Sequence, residues 1–291
     1  MRFFMSRPRC AASCSRSGEA CGFKVAWAIN PHMRVGAADS QRAVAQHAGL
    51  VRALEGAGAS VVTVPFVHGA FDSVFMKDNA VIVQRASGGI DALLALPKYE
   101  ERGQEQRARA RAMRGLGIGV AATPAAPLEG GDIVVLPGAL AAFLGHGFRS
   151  SRRAASSLES FLGGEIVPVE LRDPRLYHLD MALTVLEDGT ALVCKEALTK
   201  AALLDIARHP AIRQLVSVPL TEALAFGANC VQVGRTIVWG AAAPRTAESL
   251  ARRGYEVRRV ALDQFHFAGG SAACLVSRLH EQLASSRSNA A

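Results

Sequence analysis

From Phe23 onward, apolar and polar positions follow a repeating order. Residues 23–29 form an apolar run that stops at Asn30-Pro31 and reads as a buried strand. Asp39 offers an N-cap to a segment where Ala43, Val44, His47, Leu50, Val51 and Leu54 recur at helical spacing, and Gly56 and Gly58 end it. Residues 60–64 and 80–83 are apolar and β-branched and predict strands. The pattern then returns. A helix over 102–116 precedes a strand over 117–122. A hairpin of 133–136 with 141–144 precedes a helix from Ser150 to Leu162 and a strand at 165–169. Strands 181–186 and 191–194 flank the Asp188-Gly189 turn, followed by a helix at 199–207 and a strand at 215–218. Strands 230–233 and 236–239, a helix at 245–253 and a strand at 255–260 complete the series. Units of about 50 residues with β, β, α, β content predict an α/β repeat architecture, although the residues themselves do not repeat.

Residues 1–22 break this order. Arg2, Arg7 and Arg9 mix with serines, alanines and Cys10, Cys14 and Cys21, and neither period is visible. The segment reads as a disordered tail or a start placed too early, ahead of one domain over 23–291. The three cysteines lack the paired C-x2-C spacing of zinc ligands, so no metal is expected. No apolar stretch there is long enough for a secretory signal. Six cysteines in 291 residues are too few for a disulfide scaffold, so reduced thiols and a cytoplasmic location are expected. No apolar run approaches the roughly 18 residues of a membrane span. The net charge of +8 invites a nucleic-acid reading, but the arginines are scattered, acids interrupt them, and aromatic residues are only 6%. Without a stacking platform or a basic stripe, neither nucleic acid nor membrane is an expected partner.

Polar residues interrupt apolar surroundings at four places. In Phe71-Asp72-Ser73-Val74-Phe75-Met76-Lys77-Asp78-Asn79, carboxylates sit among bulky side chains, where burial is costly unless they are paired. Glu129-Gly130-Gly131-Asp132 places two acids around a glycine pair; alone it equally suits a tight turn. In Tyr177-His178-Leu179-Asp180-Met181, strand alternation would put His178 and Asp180 on one face. A histidine beside an acid suits proton transfer near neutral pH. Finally, Gly269-Gly270 leads through Ser271-Ala272-Ala273 to Cys274 at the start of an apolar run, a loop-to-strand junction that can present a sulfur. A buried cysteine serving as a small hydrophobe is the ordinary alternative. A thiol and a histidine with a ring of carboxylates do not suit peptide hydrolysis, which needs donors around an oxyanion. They suit a planar cation rich in N–H groups, a guanidinium.

In this order, Phe75-Met76-Lys77-Asp78, Glu129-Gly130-Gly131-Asp132, His178-Leu179-Asp180 and Gly269-Gly270 to Cys274 resemble the guanidino-group modifying superfamily, which includes dimethylarginine dimethylaminohydrolases, arginine deiminases and amidinotransferases. The resemblance implies a five-bladed pseudo-symmetric propeller of ββαβ units, the pentein fold. It implies a hydrolase that needs no cofactor, takes a small guanidino substrate and works as a homodimer. Cys274 would attack the guanidinium carbon to form a thiouronium. His178 would protonate the leaving amine and then activate water, with Glu129 orienting it or holding the guanidinium. Asp78 and Asp180 would bind the guanidinium, Asp72 the α-amine, and Arg149 and Arg102 the carboxylate, Arg102 on a lid. Lys77 departs from the family pattern. The pair His178 and Asp180 is deiminase-like, whereas the length is closer to the dimethylarginine hydrolases. An amidinotransferase sharing the covalent intermediate and a non-catalytic guanidino sensor are the alternative functions.

Overall fold

The computed structural model describes residues 1–12, 14, 18–138 and 141–281; the end of the expected domain, 282–291, lies outside the described residues. The chain opens with β1 (Arg2–Ser6), α1 (Ser40–Glu55) and β2 (Ser60–Val64). Four units of strand, strand, helix, strand follow. They are β3 (Ala80–Gln84), β4 (Ile90–Leu94), α2 (Gly103–Gly115) and β5 (Gly119–Val120); β6 (Ile133–Val135), β7 (Ala142–His146), α3 (Ala155–Leu162) and β8 (Ile166–Glu170); β9 (Leu183–Val185), β10 (Thr190–Val193), α4 (Lys200–Arg208) and β11 (Gln214–Ser217); then β12 (Cys230–Val233), β13 (Thr236–Trp239), α5 (Pro244–Ala251) and β14 (Glu256–Arg259). In each unit the first two strands pair antiparallel. The helix then crosses over so that the third strand runs parallel to the second, as a crossover connection requires.

The fifth unit is assembled from both ends of the chain. The last strand, β15 (Val276–Glu281), pairs antiparallel with β1, and β1 pairs parallel with β2. This repeats the ββαβ pattern with its first strand supplied by the C-terminal part of the chain. β15 also runs parallel to β3 and joins two units into one six-stranded sheet in the order β2-β1-β15-β3-β4-β5.

Three expectations are corrected here. Within the expected tail, residues 2–6 form β1, the central strand of its unit. Its Phe3, Phe4 and Met5 are buried. Phe3 and Met5 pack in the same apolar cluster as Phe75, Phe265, Cys274 and Leu275. Residues 23–29 are not a strand. Phe23, Val25 and Ile29 are buried as expected, but the strand that pairs with β2 is β1. Residues 178–180 do not lie on a strand either: Leu179–Met181 is a single 3-10 turn with His178 at its N-cap.

Local signals hold well elsewhere. Asp39 caps α1 by accepting from the backbone N–H groups of Gln41 and Arg42, and Thr199 caps α4 through the N–H of Ala202. Ser151 rather than Ser150 caps the turn ahead of α3. Because burying an apolar side chain contributes roughly 1.5–3 kcal/mol, removal of residues 1–22 is expected to abolish cooperative folding. Thermal unfolding of the shortened chain checks this, and an unchanged Tm would refute the central place of β1.

Candidate active site

Cys274 lies in the turn just before β15, held by close packing on both sides. Gly269 has φ +85°, and a Cβ there would meet the Asn30 side chain; a Cβ on Gly270 would strike the Phe75 ring. The glycine pair is therefore needed both for its conformation and for its clearance. Tyr177 Oη donates to the Gly269 carbonyl at 2.7 Å, and Asn30 Nδ2 donates to that of Ala268 at 3.0 Å. Asn229 fixes the thiol itself. Its Oδ1 accepts from the backbone N–H of Ala273 at 2.9 Å, and its Nδ2 donates to Cys274 Sγ at 3.2 Å and to the Asp180 carbonyl at 3.3 Å. Sequence reasoning missed Asn229; a buried amide heading an apolar strand was the available signal.

His178 stands among three acids. Its Nε2 is 3.0 Å from Glu129 Oε2 and its Nδ1 is 3.6 Å from Asp78 Oδ1. Burial works against charge on this ring, but Asp78, Asp132 and Glu129 outweigh it and hold the imidazolium up to about 9. Burial would likewise raise Glu129. Its hydrogen bond to His178 and the charges of His178, Arg149 and Arg102 instead hold it well below the usual carboxylate range. The Glu-Gly-Gly-Asp stretch makes this approach possible. A Cβ on Gly131 would lie 2.5 Å from His178 Nδ1 and 2.7 Å from Asp78 Oδ1, and one on Gly130 would strike the Lys77 carbonyl. Asp132, the last residue of that stretch, accepts from the backbone N–H groups of Ser150 at 2.9 Å and Leu179 at 3.1 Å. It thereby ties the Arg149 and His178 segments together.

Two carboxylates face the thiol and the imidazole with oxygens to spare. Asp180 Oδ2 lies 3.7 Å from Cys274 Sγ and 4.0 Å from Lys77 Nζ, while its buried Oδ1 has no hydrogen-bond partner among the described residues. Asp78 Oδ2 accepts from Arg102 Nη1 at 2.6 Å, and its buried Oδ1 also makes no hydrogen bond among the described residues, with only the His178 ring at 3.6 Å beside it. Burial pushes the Asp180 carboxyl up to about 6 despite Lys77 and His178. Burial, then Asp180 and Asp78, push the Cys274 thiol well above its ordinary value. Buried acceptors without donors are uncommon and point to a ligand that supplies them.

The remaining candidates line the same small cavity, with Asp72, Arg102 and Arg149 alongside Asp78 and Cys274. Asp72 sits in the turn Phe71–Val74 and accepts from Trp27 Nε1 at 2.7 Å; burial pushes it up to about 6, with Arg102 opposing. Arg149 donates to Glu129 Oε2 at 3.0 Å and to the Ile29 carbonyl at 2.9 Å. Its guanidinium is stacked between the rings of Tyr99 and Tyr177 at 4.6 and 4.7 Å. Arg102, expected on a lid over the substrate carboxylate, lies at the head of α2 and lines the same cavity. Its fork is directed onto Asp78, Glu105 and the Asp72 carbonyl.

Five ββαβ units around a buried thiol, imidazolium and carboxylate cluster define a cysteine-dependent hydrolase of the guanidino group, with the pentein fold. The chain belongs to the N,N dimethylarginine dimethylhydrolase family, whose eukaryotic model matches residues 32–281. It is 33% identical over 260 residues to the N(G),N(G)-dimethylarginine dimethylaminohydrolase of Mycobacterium tuberculosis, covering 89% of this chain and 83% of that protein. It is 28% identical to the bifunctional arginine dihydrolase/ornithine cyclodeaminase ArgZ of Synechocystis, covering 90% of this chain and 37% of that longer protein. A solved structure of the ArgZ N-terminal domain, covalently bound to a reaction intermediate, superposes with a TM-score of 0.85 at 27% identity, covering 97% of this chain and 98% of that one.

Proposed function

We propose that this hydrolase takes an arginine-type substrate whose guanidino group is unmethylated, and converts it to a ureido product and ammonia. The observation that carries this reading is the pair of buried carboxylate oxygens that lack a hydrogen bond among the described residues, Asp78 Oδ1, 3.6 Å from the His178 ring, and Asp180 Oδ1, on the acid beside Cys274. A guanidinium with N–H groups on both terminal nitrogens can donate to both acids. The cation would also lower the thiol's pKa, because opposite charge favours the thiolate. Substrate thus arms the nucleophile, and the thiol proton leaves to solvent as the thiolate forms. The Cys274 sulfur then bonds to the guanidinium carbon, and the His178 proton goes to the departing amine. Water, deprotonated by the now neutral His178, attacks the thiouronium; the carbon–sulfur bond breaks as the ureido carbonyl forms, and the hydroxyl proton released from the adduct restores the thiol. Glu129 holds the imidazole in place for both steps.

Among the other residues that line the cavity we assign Arg149 to the substrate carboxylate and Asp72 to its α-amine. Arg102 serves as counter-charge to Asp78. Reduced thiols support a cytoplasmic location.

The relatives divide between names for methylated and unmethylated substrates, and the two acids favour the second. Asymmetric dimethylation removes both donors from one nitrogen and leaves a buried carboxylate poorly paired. That costs roughly 1–3 kcal/mol or more, which predicts at least about a tenfold preference in kcat/KM for arginine. Measuring kcat/KM for both substrates in wild type and Asp180→Asn tests it. A wild-type preference for the dimethylated substrate would assign the protein to dimethylarginine hydrolysis instead.

The same arrangement sets two limbs in the pH profile. Asp180, at about 6, must be ionised to receive the cation, so kcat/KM falls as pH drops through that range. His178 keeps its proton below about 9, so the acid needed for the leaving amine is lost as pH rises through that value. A profile flat across both ranges would contradict these roles.

A further inference from the structure

We propose that Cys10, Cys14, Cys21 and His68 form a structural zinc site, separate from the guanidino site, that staples the β1–α1 loop to the segment carrying Asp72. One ligand atom from each residue lies within 4.8 Å of all the others. Cys21 Sγ is 3.3 Å from His68 Nδ1 and 3.8 Å from Cys14 Sγ, and Cys10 Sγ is 4.0 Å from His68 Nδ1. Zn–S bonds of about 2.3 Å and Zn–N bonds of about 2.0–2.1 Å at tetrahedral angles give ligand–ligand edges of roughly 3.5–3.8 Å, so these three separations match such edges to within a few tenths of an ångström and a modest contraction of the others, all within 4.8 Å, closes the tetrahedron. A disulfide, by contrast, needs its sulfurs at about 2.05 Å. Three soft sulfurs and an imidazole are also the donor set that selects zinc over harder cations.

The spacing concealed the site, because the cysteines follow C-x3-C-x6-C and the fourth ligand comes from beyond β2. Folding supplies what the spacing lacks. The loop doubles back as Arg9 bridges Gly22, with the Cys10 N–H donating to the Cys21 carbonyl at 2.7 Å and the Phe23 N–H to the Pro8 carbonyl at 2.8 Å. The Gly69 N–H then donates to the Ala20 carbonyl at 3.0 Å, which brings His68 against the loop. The three cysteines precede residue 32, where the family match begins.

With four protein ligands the coordination is closed, which is the mark of a structural rather than a catalytic zinc. Binding would release the three thiol protons to solvent and leave a site of net charge −1 with His68 neutral. The ion would hold two walls of the substrate cavity together. The loop continues to Trp27, which bonds Asp72, and Gly69 is tied to α2 by Gln104 Nε2 at 2.9 Å.

The test uses the full chain carrying Cys274→Ser, so that the proposed nucleophile contributes no ligand. It is prepared under reducing conditions without chelator and then offered one equivalent of Zn²⁺. Elemental analysis should find about one zinc per chain, and Co²⁺ in its place should give the charge-transfer and ligand-field absorption of a tetrahedral thiolate site. Adding Cys21→Ser or His68→Ala should abolish retention, and chelation should lower Tm in the parent but not in these variants. Should the variants fail to fold, alkylation mapping of the parent decides: zinc should protect Cys10, Cys14 and Cys21 together. No bound zinc after reconstitution, retention by the Cys21→Ser chain, or zinc-independent alkylation of the three cysteines would overturn the proposal. A Cys14–Cys21 disulfide in the freshly reduced protein would do the same.

Discussion

Cys274→Ser is expected to leave less than about a thousandth of wild-type turnover, since loss of a covalent nucleophile typically costs far more than that. The fold should survive. Serine is nearly isosteric, and its Oγ can still accept from Asn229 Nδ2, the donor now 3.2 Å from the sulfur. No other buried cysteine can substitute. Burial pushes the Cys194 thiol up to about 11 and the Cys230 thiol up to about 12. Cys274 is also pushed up, but it alone lines the cavity with Asp72, Asp78, Arg102 and Arg149, where a bound cation would reverse the shift. Peptide mapping after treatment with an amidine electrophile should place the adduct on Cys274 in wild type and find none there in the variant. Residual activity above about a thousandth, or a catalytic adduct on another cysteine, would remove Cys274 from the mechanism.

His178→Asn is expected to lower turnover of arginine by roughly 10²–10⁴-fold, the usual contribution of a positioned general acid and base. Structural damage could lower activity too, so the informative readout is its dependence on the leaving group. An amine departs only with a proton, which the His178 imidazolium, held up to about 9, supplies. The S-alkyl isothiourea analogue of arginine expels a thiolate, which departs with much less need of an acid. In the variant, first-turnover release of the thiol should therefore be impaired at least tenfold less than release of ammonia. Equal losses on both substrates would mean that His178 only shapes the site, through its contacts with Glu129 and Asp78.

Each motif of the site was legible because its chemistry is local. Polar residues embedded in apolar runs, such as Asp78 and His178, announce either a cost or a use. The glycine pairs 130–131 and 269–270 announce close approach, and the structure shows what approaches: the Lys77 carbonyl, His178, Asn30 and Phe75. The helix cap at Asp39 was equally readable, since a cap acts on residues two or three positions away.

What escaped the sequence depends on partners far along the chain. Phe3-Phe4-Met5 is too short an apolar stretch to stand out among arginines and serines. It becomes a central strand only because β2, some sixty residues on, and β15, at the far end of the chain, lie on either side of it. Asn229 gains its role from a loop 44 residues later, and His68 meets Cys21 from 47 residues away. The direction of the Arg102 fork onto Asp78 is likewise a matter of tertiary packing. By itself, then, the sequence determined the chemistry of the site and the helices and strands with strong local signals. The tertiary structure alone decided which segments meet, because pairing across long loops is set by burial and ladder hydrogen bonds that no local preference encodes.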